Sequence, residues 1–121
     1  MKATFWAFLA IMIAATAWTS DVTGNWTGSM ELNNGEHGGT YLILKQSDGE
    51  ITGSMGSSQD KQFPLTLGRI NGDVVTLEAR PGAPVLRLTM KLDAAKLTKL
   101  TGDVFEDDRK IGTVAVQKVL Q

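Results

Sequence analysis

The chain contains no cysteine and only one histidine, and its charges nearly cancel, with 12 basic residues against 13 acidic ones. Each shortage excludes something. Without cysteine there is no disulfide framework and no N-terminal site for a lipid, so the fold must be stabilised by its core alone. Without a basic excess there is no electrostatic footprint for nucleic acid or for an anionic membrane surface. Exposed aromatics interleaved with basic residues, which mark single-strand nucleic-acid binding, are also missing. No apolar run is long enough to make a good transmembrane helix. The longest, Ala3–Ala15, falls short of the roughly 20 residues a span needs and soon gives way to Thr19, Ser20 and Asp21.

That run has a different meaning. Met1-Lys2 gives a short positive start, and Ala15-Thr16-Ala17 is a small-x-small site of the kind a signal peptidase accepts. The expected organisation is a signal peptide over residues 1–17 and one domain over residues 18–121, soluble and secreted or periplasmic once the leader is removed. The competing reading is an uncleaved anchor or a buried helix. Removing 17 of 121 residues leaves 104, which suits one domain with a modest core. Lys2 goes with the leader, so 11 basic and 13 acidic residues remain, a net charge of −2.

What the domain has in abundance is period-two alternation. From Val22 to Leu32 the even positions are Val22, Gly24, Trp26, Gly28, Met30 and Leu32, and the odd ones are all polar. Leu86, Leu88, Met90 and Leu92 alternate with Arg87, Thr89 and Lys91 in the same way. Both patterns belong to strands with one buried face. Weaker runs lie at Thr40–Gln46, Glu50–Gly56, Gln62–Ile70, Val74–Arg80, Leu97–Phe105 and Lys110–Val119. Within Gln62–Ile70 the apolar phase shifts, and a β-bulge at Gly68-Arg69 would explain it. Only Asp93–Leu100 has room for a helical turn. The set predicts an all-β fold, a single antiparallel up-and-down β-barrel of about eight strands after the leader.

The connections fall into two classes. Ser47–Glu50, Asn71-Gly72 and Asp93–Lys96 read as tight turns, with Asn-Gly suited to a two-residue hairpin. Asn33–Gly39, Ser57–Lys61, Pro81–Pro84 and Glu106–Arg109 read as longer loops. Along an up-and-down meander the classes alternate. The tight turns then share a plain end with the N-terminus, and the loops form a mouth. An aliphatic-Thr-Gly triplet recurs on the plain-end side at Val22-Thr23-Gly24, Ile51-Thr52-Gly53 and Leu100-Thr101-Gly102. Inward glycine there makes room for a tight curve and a bulky side chain opposite.

Gly24-Asn25-Trp26 resembles the Gly-x-Trp that opens the calycin barrels, lipocalins and avidins among them. The segment Gly24–Met55, with Asp48-Gly49-Glu50-Ile51-Thr52-Gly53, is similar in layout to the first strands of avidin-type barrels. The chain also resembles small exported bacterial proteins in which Thr-Gly strands alternate with Gly-Asp turns. The resemblance implies that Gly24 and Trp26 are structural, with the Trp plugging the closed end, and that a basic residue of the last strand, here Lys118, covers it. It implies no ligand. The several later Trp residues that line an avidin-type biotin pocket are absent, as are the lipocalin Thr-Asp-Tyr run and a late Arg near a disulfide.

No constellation for catalysis is visible. His37 has a single neighbouring carboxylate, Glu36, whereas zinc takes three or four ligands. Glu106-Asp107-Asp108 lacks the Asx and Gly spacing of a calcium loop and reads as a solvated hairpin tip. Ser57-Ser58 has no base other than His37 and no strand-turn-helix context. No cofactor is implied. The expected function is a non-enzymatic binding module for a small apolar or amphipathic ligand. The candidate contacts are His37, Gln59, Arg80 and Arg109 at the mouth, with Met55 and Met90 inside as adaptable liners alongside Met30. The alternative is an extracellular protein-interaction or inhibitor module acting through the mouth loops, for which the Arg80–Pro84 loop is stiff enough. Exported protein should begin at Trp18, and an intact mass that retained Met1 would overturn the leader.

Overall fold

A computed structural model describes residues 21–120. The expected leader, its cleavage site after Ala17, and Trp18 lie outside the described residues. Eight strands run β1 Gly24–Leu32, β2 His37–Ser47, β3 Glu50–Ser58, β4 Lys61–Asn71, β5 Val74–Ala79, β6 Leu86–Leu92, β7 Lys99–Glu106 and β8 Arg109–Lys118. Each pairs antiparallel with its sequence neighbour, and β1 pairs with β8 to close the barrel. All eight alternating runs are strands. No helix occurs among the described residues, and Asp93–Leu100 makes none. There Asp93 caps the Ala95 and Lys96 amides at 2.8 and 3.1 Å. Those backbone hydrogen bonds hold its carboxyl below the usual carboxylate range.

Alternation puts one face of every strand inside. Val22, Trp26, Leu42, Leu44, Ile51, Ile70, Val75, Leu77, Leu88, Met90, Leu92, Leu100, Val104, Val114 and Val116 are all buried in a single cluster. This cluster fills the barrel from the plain end upward. Trp26 is fully buried, and its Nε1–H donates to the Val22 carbonyl at 3.0 Å. Lys118 stands beside it in the β1–β8 register, with Nζ 5.9 Å from the Trp26 ring centroid. At that distance the cation–π attraction is near its limit. Covering of the ring by the aliphatic stem matters more. The stem occupies the space above Gly24, where a Cβ would meet Lys118 Cε at 2.7 Å.

Two of the three aliphatic-Thr-Gly triplets have a register that accounts for them. Leu44 sits between Gly24 on one side and Gly53 on the other, both with φ in the left-handed region (141° and 133°). A Cβ at Gly53 would collide with the Ile43 carbonyl. The glycines therefore let three strands close around one leucine.

Two local expectations need correction. The bulge lies at Leu65–Leu67, where Leu65 pairs with Ala79 but Leu67 with Glu78, rather than at Gly68-Arg69. Thr66 is the extra residue, and its hydroxyl donates to the Glu78 carbonyl at 3.2 Å. The two classes of turn also do not separate by length. The mouth hairpins at Gln59-Asp60 and Asp107-Asp108 are only two residues long, whereas the plain-end connection Asp93–Thr98 is six. What sorts the connections is the meander itself, since alternate links of an up-and-down barrel fall at the same end. Asp107 and Asp108 adopt positive φ (48° and 68°), as a tight primed turn requires.

Trp26 is sealed into the plain end by three elements, so Trp26→Ala should cost about 3–5 kcal/mol in unfolding free energy. Chemical denaturation checks this, and a loss below about 1 kcal/mol, within the range of surface changes, would contradict the plug.

Candidate functional site

From the mouth downward, the β1–β2 ladder reads Met30 opposite Gly38, Gly28 opposite Thr40, then Trp26 opposite Leu42. The Trp26 level belongs to the filled core. Above it the interior is not filled. A cleft of about 210 Å³ opens there, lined by Met30, Thr40, Met55, Ser57, Phe63, Ala79, Pro81, Leu86 and Leu88, with Gly39 and Gly56.

The strands deliver these groups by simple alternation. Met55 pairs with Leu42 on β2 and Phe63 on β4. Ala79 pairs with Leu86, and Leu77 with Leu88 one layer deeper. The exposed members, Gly39, Ser57, Phe63 and Pro81, form the rim, while Met55, Ala79 and Leu88 are buried in the walls. The lining holds no charged side chain and no histidine. It is an apolar pocket with very few polar groups, the usual composition of a small-molecule site.

One of those polar groups is conspicuous by its state. Thr40 is 4 % exposed, and among the described residues its Oγ1 is the one buried side-chain polar atom with no hydrogen-bond partner. It follows the inward phase of Leu42 and Leu44, opposite a glycine that has no side chain to offer it a partner. A buried hydroxyl left unpaired costs about 1–3 kcal/mol.

The mouth is also braced. The β5–β6 connection is fastened to the β7–β8 hairpin by Val85 N–H donating to Asp107 Oδ1 at 2.9 Å and Asp107 N–H donating to the Val85 carbonyl at 3.0 Å. Arg87 reaches Asp108 at 2.8 Å and lies over the Phe105 ring at 4.6 Å. Asp107 and Asp108 therefore have protein partners, which the expected solvated hairpin tip did not include.

The four mouth residues expected from sequence do reach one end of the barrel, but they do not line the cleft. His37 is on β2 rather than in a loop, and its Nδ1 lies 3.7 Å from Glu31 Oε1 across the β1–β2 pair. Arg109 opens β8 and borders a separate groove with Leu32, Asn33, Asn34, Glu106, Lys110 and Ile111. Gln59 and Arg80 are exposed in their connections. Of the two interior candidates, Met55 lines the cleft. Met90 is 1 % exposed and lies below it, paired with Val75 and Gly102. Sequence reasoning passed over Thr40, Phe63 and Leu86. Thr40 carried a usable signal, a polar residue on an otherwise apolar phase.

No known protein family, curated protein or solved structure matches this chain, so its function is read from the site itself.

Replacing Thr40 by isosteric valine removes the unpaired hydroxyl and keeps the shape. Thr40→Val should raise unfolding free energy by about 1 kcal/mol. A loss of similar size in denaturant unfolding would mean that the hydroxyl is satisfied in solution.

Proposed function

We propose that the protein is an exported binding module, a calycin-like barrel that holds a small apolar or amphipathic ligand in the cleft at its mouth. The observation that carries this reading is the cleft itself, which stands directly above a filled interior. A dry cavity of about 150 Å³ is enough to hold benzene, so about 210 Å³ suits one ring or a short chain. Two of its walls are methionines, whose flexible thioethers adapt to different shapes. Phe63, 40 % exposed, stands at the entrance with freedom to repack.

Binding is favoured over catalysis because the cleft has no titratable side chain in its lining to serve as acid or base. Thr40 and Ser57 are its hydroxyl-bearing residues, and the Thr40 hydroxyl has no base bonded to it. The alternative, a protein-interaction module working through the loops, has less support. Two of the four mouth connections are two-residue hairpins, and Pro81 lines the cleft rather than standing apart from it. The uncharged lining and the net charge of −2 after export speak against nucleic acid as the ligand.

The methionine methyls make the test direct. Titration with toluene should shift the methyl resonances of Met30 and Met55 more than that of Met90 and raise Tm by mass action. Ala79→Leu should plug the cleft and abolish both effects while the barrel stays folded. If toluene leaves all three methyls unmoved, the cleft is not a ligand site.

A further inference from the structure

We infer that the cleft selects a neutral, single-ring molecule carrying one hydrogen-bonding oxygen, with that oxygen seated on the Thr40 hydroxyl. This inference rests on the proposed binding function and names the class of ligand.

Three observations define the class. The first is Thr40, a residue of the cleft lining that is almost completely buried and whose hydroxyl has no protein partner. A hydroxyl supplies one donor and two acceptor lone pairs. It can therefore receive a phenolic O–H or donate to a carbonyl, and either bond removes the cost of the unpaired group.

The second is the absence of charge in the lining. A carboxylate or ammonium carried to the level of Thr40 would lose its water without gaining a counter-ion. Acids, amines and phosphates are disfavoured for that reason, fatty acids included. The polar function that enters must be neutral.

The third is the chemistry around the ring space. Met30 and Met55 bring thioether side chains to the cleft from β1 and β3, the two strands flanking β2, and Phe63 brings an aromatic ring from β4. Sulfur packs favourably at about 5 Å from an aromatic ring, and aromatic pairs gain beyond the area they bury. An aromatic ring uses all three side chains, whereas an aliphatic chain of the same volume uses only their apolar surface.

Position adds selectivity. Ser57, the other hydroxyl, is exposed at the rim, where a ligand oxygen would keep its water anyway. Only Thr40 distinguishes a ligand with an inward oxygen from one without it. A site whose buried polar group is completed by a ligand hydroxyl rejects the analogue that lacks it.

Calorimetric titration of the purified protein with p-cresol, toluene and 4-methylbenzoate at neutral pH tests this, since the three share a ring and a methyl group. In the unmodified protein p-cresol should bind about tenfold tighter than toluene, the scale of one net hydrogen bond, and 4-methylbenzoate should bind weakest. Thr40→Val should reverse the order of cresol and toluene and leave toluene within about twofold. Thr40→Ala serves the same purpose should the valine variant fail to fold, and Thr40→Ser should restore the preference for cresol. An unchanged order in the variants, with toluene still bound and still displaced by Ala79→Leu, would overturn the role of Thr40 and leave the cleft as an apolar site. Tightest binding by 4-methylbenzoate would overturn the neutral class. Failure of all three to bind would remove the binding function along with the inference.

Discussion

The pairing of β1 with β8 is the contact on which the rest of the molecule depends. The other seven ladders join strands adjacent in sequence and could form locally as hairpins. Only β1–β8 joins the two ends of the domain, and without it the sheet would expose two unpaired edges. Trp26 sits at the plain-end limit of that ladder, opposite Lys118 on one side and Leu42 on the other. Its indole N–H is satisfied by Val22, and its ring is covered by Lys118. A single side chain thus fastens the entering strand, the closing strand and the first layer of the core.

That plug also sets the depth of the cleft. The core fills the barrel upward from Trp26, Leu44, Ile51 and Leu100, and the layers run out near Leu88 and Met55. Above them the circumference is fixed by eight strands, while the side chains pointing inward become sparse or small, as at Gly28, Gly38 and Ala79. An eight-stranded barrel is just wide enough for its interior to be filled by side chains. Leaving out a few large ones at one end is sufficient to produce a pocket of ligand size. The rim above is held by the Val85–Asp107 and Arg87–Asp108 contacts, so the Pro81 wall is anchored on one side. A braced rim loses less conformational entropy when a ligand enters.

The strands were legible because a half-buried sheet writes its period into the chain, and Val22–Leu32 does so without a break. The mouth and plain ends were legible for a reason other than the one their loops suggested. Alternate connections of a meander share an end whatever their length, and the six-residue Asp93–Thr98 link shows that loop length is a poor guide. Depth within the barrel was not legible. Met55 and Met90 have the same inward phase, yet strand tilt and register place one at the cleft and the other beneath it. His37 and Arg109 were drawn to the site by their charge and their place near turns. A residue at a strand end still obeys the alternation, and His37, paired with Glu31 beside inward Met30, faces outward, while Arg109 opens β8 at a register shift and borders a groove apart from the cleft. The bulge followed similar logic. The phase shift in Gln62–Ile70 was visible, but Thr66 rather than a glycine took the extra position because its hydroxyl can bond the opposing carbonyl of Glu78.

Local rules agree across nearly all of this molecule, which makes the places where they fail informative. The inward phase is apolar or glycine on almost every strand, the primed turn carries residues that tolerate positive φ, and the buried indole has its acceptor. Two departures remain: an interior left unfilled and an interior hydroxyl left unpaired. They are separate failures, since a cavity can be purely apolar and an unpaired hydroxyl can be packed tightly. Here they coincide at Thr40, on the wall of the cleft that opens into the barrel interior. Either departure alone would lower stability with no compensating gain. Together they have a common resolution, because one molecule of the right size with one neutral oxygen corrects both at once. Valine at position 40 or leucine at position 79 would repair the fold more simply. That the chain carries Thr40 and Ala79 instead is what the proposed binding function would require of a fold that stability alone would have filled.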